Sequence, residues 1–304
     1  MHTSVDRLAT SIGGVLEAHG GERFSDRPHQ WRRRLGEDDS FPIEAILVAE
    51  WLTMTSPLPP GLTACSRWQL LELNATLPAM VRVALDPRTG QGSVRVDVGV
   101  HGDDIENDEP FVDRVREGWQ SLGVARRRLP RAASLDTMAT SNKADPLAGS
   151  EPGPDLQALI VAAGWHCVQR AAGALSVELD VPHQSIHAFV TAESRSGVRA
   201  YVELGRHAVS SEASREAVAL FLLCAATVTR LVRPIVDGHG RGPRPGLEVR
   251  WAIAPTGEEV SHALQALSVV CRCVATEVDA LCEESTASEY LKMNGQSDQD
   301  AQAA

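Results

Sequence analysis

The hydrophobic and polar positions of the chain follow the same plan twice. In each half, apolar residues first recur at helical spacing, then alternate with polar residues as in strands, and then return to helical spacing. We therefore predict an α+β protein with two repeats of helix, three strands, helix, two strands and helix, and with antiparallel sheets. The predicted boundaries are 1–125 for the first repeat, 126–154 for a linker, 155–290 for the second repeat and 291–304 for a disordered, polar tail.

The middle helix of the second repeat is predicted from an unusually apolar stretch, residues 211–231. Residues 217–226 within it are all apolar, and a run of this length is too short to cross a bilayer. A helix that is apolar on every side must be buried from more than one direction. We therefore expect this helix at the centre of the fold, with Phe221 in the middle of the core.

The last predicted helix has a heptad-like seam. Thr256 and Glu259 match a capping box, which starts a helix. Apolar residues then recur at spacings of four and three, at Val260, Leu264, Leu267, Cys271, Val274, Val278 and Leu281. Because such a seam requires an apolar partner, and because the linker is long enough to fold back, we predict that the two repeats associate through their helices as a pseudo-dimer within one chain.

A short motif recurs at equivalent places in the two repeats. Residues 81–86 and 232–237 share the pattern V-R-x-x-[LV]-D, and each is followed by a glycine-containing turn and an alternating strand. Strict alternation, as in residues 93–100, predicts a strand with one buried and one solvated face. The position of the motif supports a duplication.

Charge and cysteine content limit the classes of partner. The chain has 304 residues and a formal net charge of −11, and a field of this sign repels phosphate backbones and anionic lipid. We therefore expect no nucleic-acid and no membrane partner. The six cysteines do not predict a disulfide framework in a chain of this length. Without a signal-peptide pattern or eighteen consecutive apolar residues, the sequence favours a cytoplasmic protein.

Two patterns that could suggest a metal or phosphate site have the wrong context. His183 and His187 are four residues apart, but this spacing places two imidazoles on one metal only in a helix, and here the pair flanks a turn between strands. The glycine-rich residues 238–242 join a strand to a strand rather than to a helix N-terminus. Both patterns therefore favour a structural role.

Acidic residues ahead of the third helix partly match a calcium loop. Asp104, Glu106 and Asp108 have the spacing of the first ligands, but Glu109 stands where the loop requires glycine. Carboxylates at a helix start are explained by the helix dipole alone.

Cysteine and arginine clusters also favour structural roles. Cys271 and Cys273 lie about 200° apart on a helix and cannot share a metal. The arginines at 126–128 and Arg131 lack interleaved aromatic residues, which indicates a solvated linker. We assign no catalytic, cofactor-binding or metal-ligating residue, and we expect no cofactor and no enzyme activity.

The order of elements resembles that of the class I type III secretion chaperones and the related YbjN-like proteins. The likeness is greatest at residues 70–74, followed by 80–86 and 94–98, where those chaperones also run a leucine-rich helix into a hairpin with an Asp/Gly turn. Family members are small acidic homodimers, so a fused pair would form a single-chain pseudo-dimer. The resemblance implies a non-enzymatic module, chaperone-like or regulatory, whose apolar patches and exposed sheet edges bind a peptide segment of another protein.

The alternative is an enzyme or small-ligand-binding protein. Such a protein would use the cleft between the two halves, where His187, His239 and the acidic loop near Asp103 would converge. The sequence alone does not assign the partner-binding surface or the oligomeric state of the whole chain.

Overall fold

The computed structural model describes residues 2–33, 42–48, 51–99, 108–132, 155–171, 173–182, 184–193, 197–205, 208–237, 243–252 and 255–302. In this part of the chain, seven α-helices accompany twelve strands in two antiparallel six-stranded sheets. The predicted α+β class with two similar halves is therefore confirmed.

The first half contains one sheet with a helix at each end of its sequence. Its elements are α1 (His2–Ala18), β1 (Glu22–Arg23), β2 (Gln30–Arg33), β3 (Ile43–Val48), β4 (Trp51–Pro57), a 3₁₀ turn (Pro60–Leu62), α2 (Arg67–Asn74), β5 (Arg82–Leu85), β6 (Gly92–Gly99) and α3 (Asp108–Ala132). The strand order is β1-β2-β3-β4-β6-β5.

The alternation of apolar and polar residues along the strands shows which face of this sheet is covered by helices. On β6, Val94, Val96 and Val98 are buried, and α3 packs on β6 and β4 beside α1. At Gly118 of α3, an added Cβ atom would lie 2.8 Å from Met54 Cε. The missing side chain therefore allows α3 to approach the sheet closely.

The second half repeats this plan. Its elements are α4 (Leu156–Ala162), β7 (Cys167–Ala171), β8 (Ala174–Leu179), β9 (Ile186–Ala192), β10 (Val198–Glu203), α5 (Glu212–Val228), β11 (Arg233–Asp237), β12 (Arg244–Trp251), α6 (Gly257–Leu281) and α7 (Glu284–Gln302). The strand order is β11-β12-β10-β9-β8-β7. Helices α4 and α6 cover one face of this sheet.

The structure differs from the prediction in the number of strands and in the ends of two helices. Four strands, not three, precede the middle helix of each half; β7 was missed because its sequence, CVQRA, does not alternate clearly. Helix α3 continues through residues 126–132, which were predicted as linker, and it buries Leu129 there. Residues 291–302, predicted as a disordered tail, continue α7, which Ala287 and Tyr290 anchor to the core.

Of the two long apolar helices, α5 lies at the centre of the fold as predicted, whereas α6 packs against other elements than those predicted. The seam of α6 is buried, but it packs against its own sheet and against α4, α5 and α7 rather than across the halves. Helix α5 is central, yet Phe221 is only partly buried and meets Tyr290 of α7 edge-on, with ring centroids 6.5 Å apart. The side chain of Leu223, not Phe221, lies in the deep core.

Candidate functional site

The two halves are joined by their middle helices. Helix α2 of the first half lies against β11 of the second, α5 of the second half lies against β5 of the first, and the two helices contact each other. Each helix therefore packs beside the end strand of the other half's sheet. This exchange covers the β5 and β11 ends of the sheets and leaves β1 and β7 at the far ends.

The backbone adopts the same unusual conformation at equivalent points of the two halves. Met80 and Leu231 have φ angles of 68° and 65°, in the left-handed region that non-glycine residues rarely occupy. Each residue directly precedes the recurrent V-R motif. A shared local strain at matching positions supports duplication more strongly than the short sequence match does.

The first arginine of this motif, Arg82, connects both halves. Its buried guanidinium pairs with Asp97 on β6 of its own sheet. It also donates to the main-chain oxygens of Ala226 and Thr229 in the other half, at 3.0 and 2.8 Å. These oxygens lie at the C-terminal end of α5, where unpaired carbonyls make the helix end negative. The cation is thus held between a carboxylate and a helix end.

A second cation shares the same carboxylate. Arg95 donates to Asp97 at 2.9 Å and to the oxygen of Thr227 at 2.6 Å, and Thr53 donates its hydroxyl to Asp97 at 2.6 Å. Burial alone would raise the pKa of Asp97, but the two arginines and the hydroxyl outweigh it, so that pKa lies below its usual value. Asp97 is therefore ionised at neutral pH.

Arg233 repeats this arrangement from the opposite side. It pairs with the buried carboxylate of Glu248 and donates to the main-chain oxygens of Leu77, Pro78 and Val81 in the first half, at 3.2, 2.9 and 2.9 Å. In both halves the carboxylate follows its arginine by 15 residues. This recurrent spacing is the signal by which the sequence could have revealed the pairs.

Glu248, like Asp97, also faces a second arginine. Arg199 on β10 donates to Glu248 at 2.6 Å, and its guanidinium carbon lies 4.6 Å from the centre of the Tyr201 ring. Burial would raise the pKa of Glu248, but Arg233 and Arg199 lower it below its usual value. Each cluster thus has two guanidinium groups and one carboxylate.

Asn74 at the end of α2 adds a buried polar bridge. Its side-chain amide donates to the oxygen of Pro234 in the other half at 2.9 Å and accepts from the amide of Val83 at 2.6 Å. Val83 and Pro234 are both buried, and the loss of a hydrogen bond to a buried group is costly. Sequence reasoning missed Asn74, because a single polar residue at a helix end has no distinguishing pattern.

One cavity opens beside the N-terminal end of α2. Its volume is about 570 Å³, and Arg67 and Glu216 from opposite halves stand at its rim with 3.9 Å between their charged groups. Glu216 also accepts from the amides of Arg67 and Trp68, each at 3.4 Å. The floor is made of leucines, namely Leu58, Leu62, Leu70 and Leu85.

Of the groups that were predicted to converge in an alternative active site, His187 lies in the described part of the chain. On β9, His187 Nε2 lies 3.3 Å from Ser185 Oγ, which also donates to Glu178 at 3.4 Å. His239 and Asp103 lie outside the described residues, so their predicted convergence with His187 stays a prediction.

The other candidate ligand residues add no metal site to the described part of the chain. His183, residues 238–242, Asp104 and Glu106 lie outside that part, and within it no three or more potential metal-ligating side chains cluster. Cys271 is buried and Cys273 is exposed; burial raises the pKa of Cys271 to about 12. Across the described helices, none is long and apolar enough to span a membrane.

The two outer sheet edges are unequal. β1 has only two residues, and its Arg23 donates to the oxygen of Pro28 at 2.8 Å while lying 5.8 Å from the centre of the Trp31 ring. β7 has five residues, and its Val168 is 61% exposed. Short, charged edge strands resist pairing with another chain. The edge at β7 is the longer and more apolar of the two.

Comparison of the chain with protein-family models gives no match, and comparison with curated proteins gives none either.

Proposed function

We propose that this protein is a non-enzymatic protein-binding module, chaperone-like or regulatory, which holds an extended segment of another protein. The observation that carries this proposal is the edge strand β7, which is five residues long and exposes Val168 at 61%. An extended peptide that adds to a sheet edge gains main-chain hydrogen bonds along the strand, and neighbouring side chains give specificity.

The buried charges support a structural rather than a catalytic role for the interface. Arg82 and Arg233 are bonded to carboxylates and to main-chain oxygens across the halves. The lowered pKa values of Asp97 and Glu248 hold both carboxylates ionised. Groups engaged in this way stabilise the assembly and are not placed to exchange protons with a substrate.

The proposal is tested by capture of partners with the full chain as bait. We expect Val168→Lys, which places a charge on the β7 edge, to lose proteins that the unchanged chain retains from its native cells. Val48→Lys is the matched control, because Val48 is 58% exposed on β3 of the first half. If the unchanged chain retains no specific protein, or if Val168→Lys retains the same proteins, the proposal fails.

The leucine-lined cavity, which is formed by residues of the first half and by Glu216 of the second, favours a second candidate function, the binding of a small ligand. Its volume of about 570 Å³ falls within the usual range for ligand pockets. Cys65 lines the cavity, so Cys65→Phe would fill part of it. A small molecule that raises the melting temperature of the unchanged chain, but not of Cys65→Phe, would support this alternative over protein binding.

A further inference from the structure

A continuous row of paired residues crosses the face of the second sheet that is turned away from α6. Each member is the direct cross-strand partner of the next. The row runs from the exposed edge to the interface between the halves through Val168, Ser176, Phe189, Tyr201, Glu248 and Arg233.

The centre of this row is an aromatic platform, formed by Phe189 and Tyr201. Their ring centroids are 5.4 Å apart with an interplanar angle of 31°, and both rings are half-buried. At the corresponding positions of the first sheet, Asp97 pairs with Thr53, and Thr53 pairs in turn with Ile46, so neither partner is aromatic. The platform is therefore a property of the second half and not of the repeated fold.

A positive charge remains beside the platform. Glu248 has a single negative charge and faces both Arg233 and Arg199. Arg233 is 5% exposed and donates to main-chain oxygens of the other half, whereas Arg199 is 18% exposed and stacks on Tyr201. These three groups together carry a net positive charge, and Arg199 is the more exposed of the two cations.

We infer that this platform binds an acidic segment of another protein that carries an aromatic side chain between carboxylates. The aromatic side chain would stack on Phe189 and Tyr201, and a flanking carboxylate would accept from Arg199 in a charge-assisted hydrogen bond. The inference rests on the proposed protein-binding function and names the chemistry of the segment.

Fluorescence anisotropy with labelled peptides and the full chain tests this inference. The probe is Gly-Asp-Phe-Asp-Gly, compared with Gly-Lys-Phe-Lys-Gly and Gly-Asp-Ala-Asp-Gly. We expect the acidic aromatic peptide to bind about tenfold or more tightly than either of the others. Equal binding of the lysine peptide, or binding of none of the three, would overturn the inference.

Substitutions then locate the binding. Arg199→Gln and Tyr201→Ala should each weaken the acidic aromatic peptide about tenfold or more, and Arg199→Lys should restore part of the affinity because it keeps the charge. Arg244→Gln is the control, since Arg244 pairs with the exposed Glu203 on the neighbouring strand. The same loss in Arg244→Gln, or no loss in Arg199→Gln and Tyr201→Ala with native circular dichroism spectra, would contradict the placement.

Partner capture separates this inference from the proposed function. If Arg199→Gln and Tyr201→Ala retain the same proteins as the unchanged chain, while Val168→Lys loses them, the platform is wrong and edge binding stands. If the unchanged chain retains no specific protein, the proposed function itself fails.

Discussion

Replacement of Arg233 by methionine should destabilise the whole chain, because this side chain bonds to both halves. The substitution keeps most of the side-chain volume but removes the guanidinium. Glu248 would retain Arg199 alone, and the oxygens of Leu77, Pro78 and Val81 would lose their donor.

The expected loss follows from the burial of the pair. Arg233 and Glu248 are 5% and 2% exposed, and removal of one partner of a buried pair costs about 3–5 kcal/mol. A domain is typically stable by only about 5–15 kcal/mol, so the substitution would remove a large part of the total. Arg244→Met removes a half-buried partner of the exposed Glu203, and it should cost about 0–1 kcal/mol.

Equilibrium unfolding in urea, followed by tryptophan fluorescence and circular dichroism, measures both losses. The double substitution Arg233→Met with Glu248→Leu should recover part of the stability, because it leaves no carboxylate buried in the cluster. If Arg233→Met costs no more than Arg244→Met, Arg233 does not stabilise the contact between the halves as described.

Three further predictions concern packing, hydrogen bonding and pH. Leu223→Ala should cost about 2–5 kcal/mol in urea unfolding, and Phe221→Ala should cost less because its ring is only half-buried; the reverse order would contradict the packing of α5. Asn74→Ala removes hydrogen bonds to two buried main-chain groups from opposite halves and should cost about 1–3 kcal/mol; an unchanged urea midpoint would contradict that bridge. Burial and the charge of Glu259 raise the pKa of Glu117, so its ionisation opposes folding above the unfolded pKa of about 4.3. Glu117→Gln should therefore be more stable than the unchanged chain at pH 7, with a difference that vanishes as the pH falls to about 4; a difference that does not change with pH would contradict it.

The plan of the fold was predictable because the chain is repeated. A weak sequence pattern in one half could be compared with the same pattern in the other half. The V-R-x-x-[LV]-D pattern placed β5 and β11 correctly, and the capping box of Thr256 and Glu259 starts α6 where predicted. The strand β7 and the helical continuation of α7 were missed, because neither has apolar periodicity of its own and both depend on neighbours distant in sequence.

The bonds between the halves were beyond sequence reasoning for a different reason. Arg82, Arg233 and Asn74 all reach main-chain groups of the opposite half, and a main-chain oxygen has no signature in the sequence. The apolar seam of α6 was predicted to be buried, but its partner could not be deduced, since hydrophobic contact is not directional. The aromatic platform was missed because Phe189 and Tyr201 lie on separate strands whose register only the fold sets.

The pairing of the two halves within one chain is tested most directly by cutting the segment between them. A specific protease site inserted at Lys143 would allow the folded, full-length protein to be cleaved and then separated by size-exclusion chromatography. We expect the two fragments to elute together, and we expect Arg82→Met combined with Arg233→Met to separate or unfold them. Two fragments that elute apart as stable, folded monomers would contradict the assembly described here.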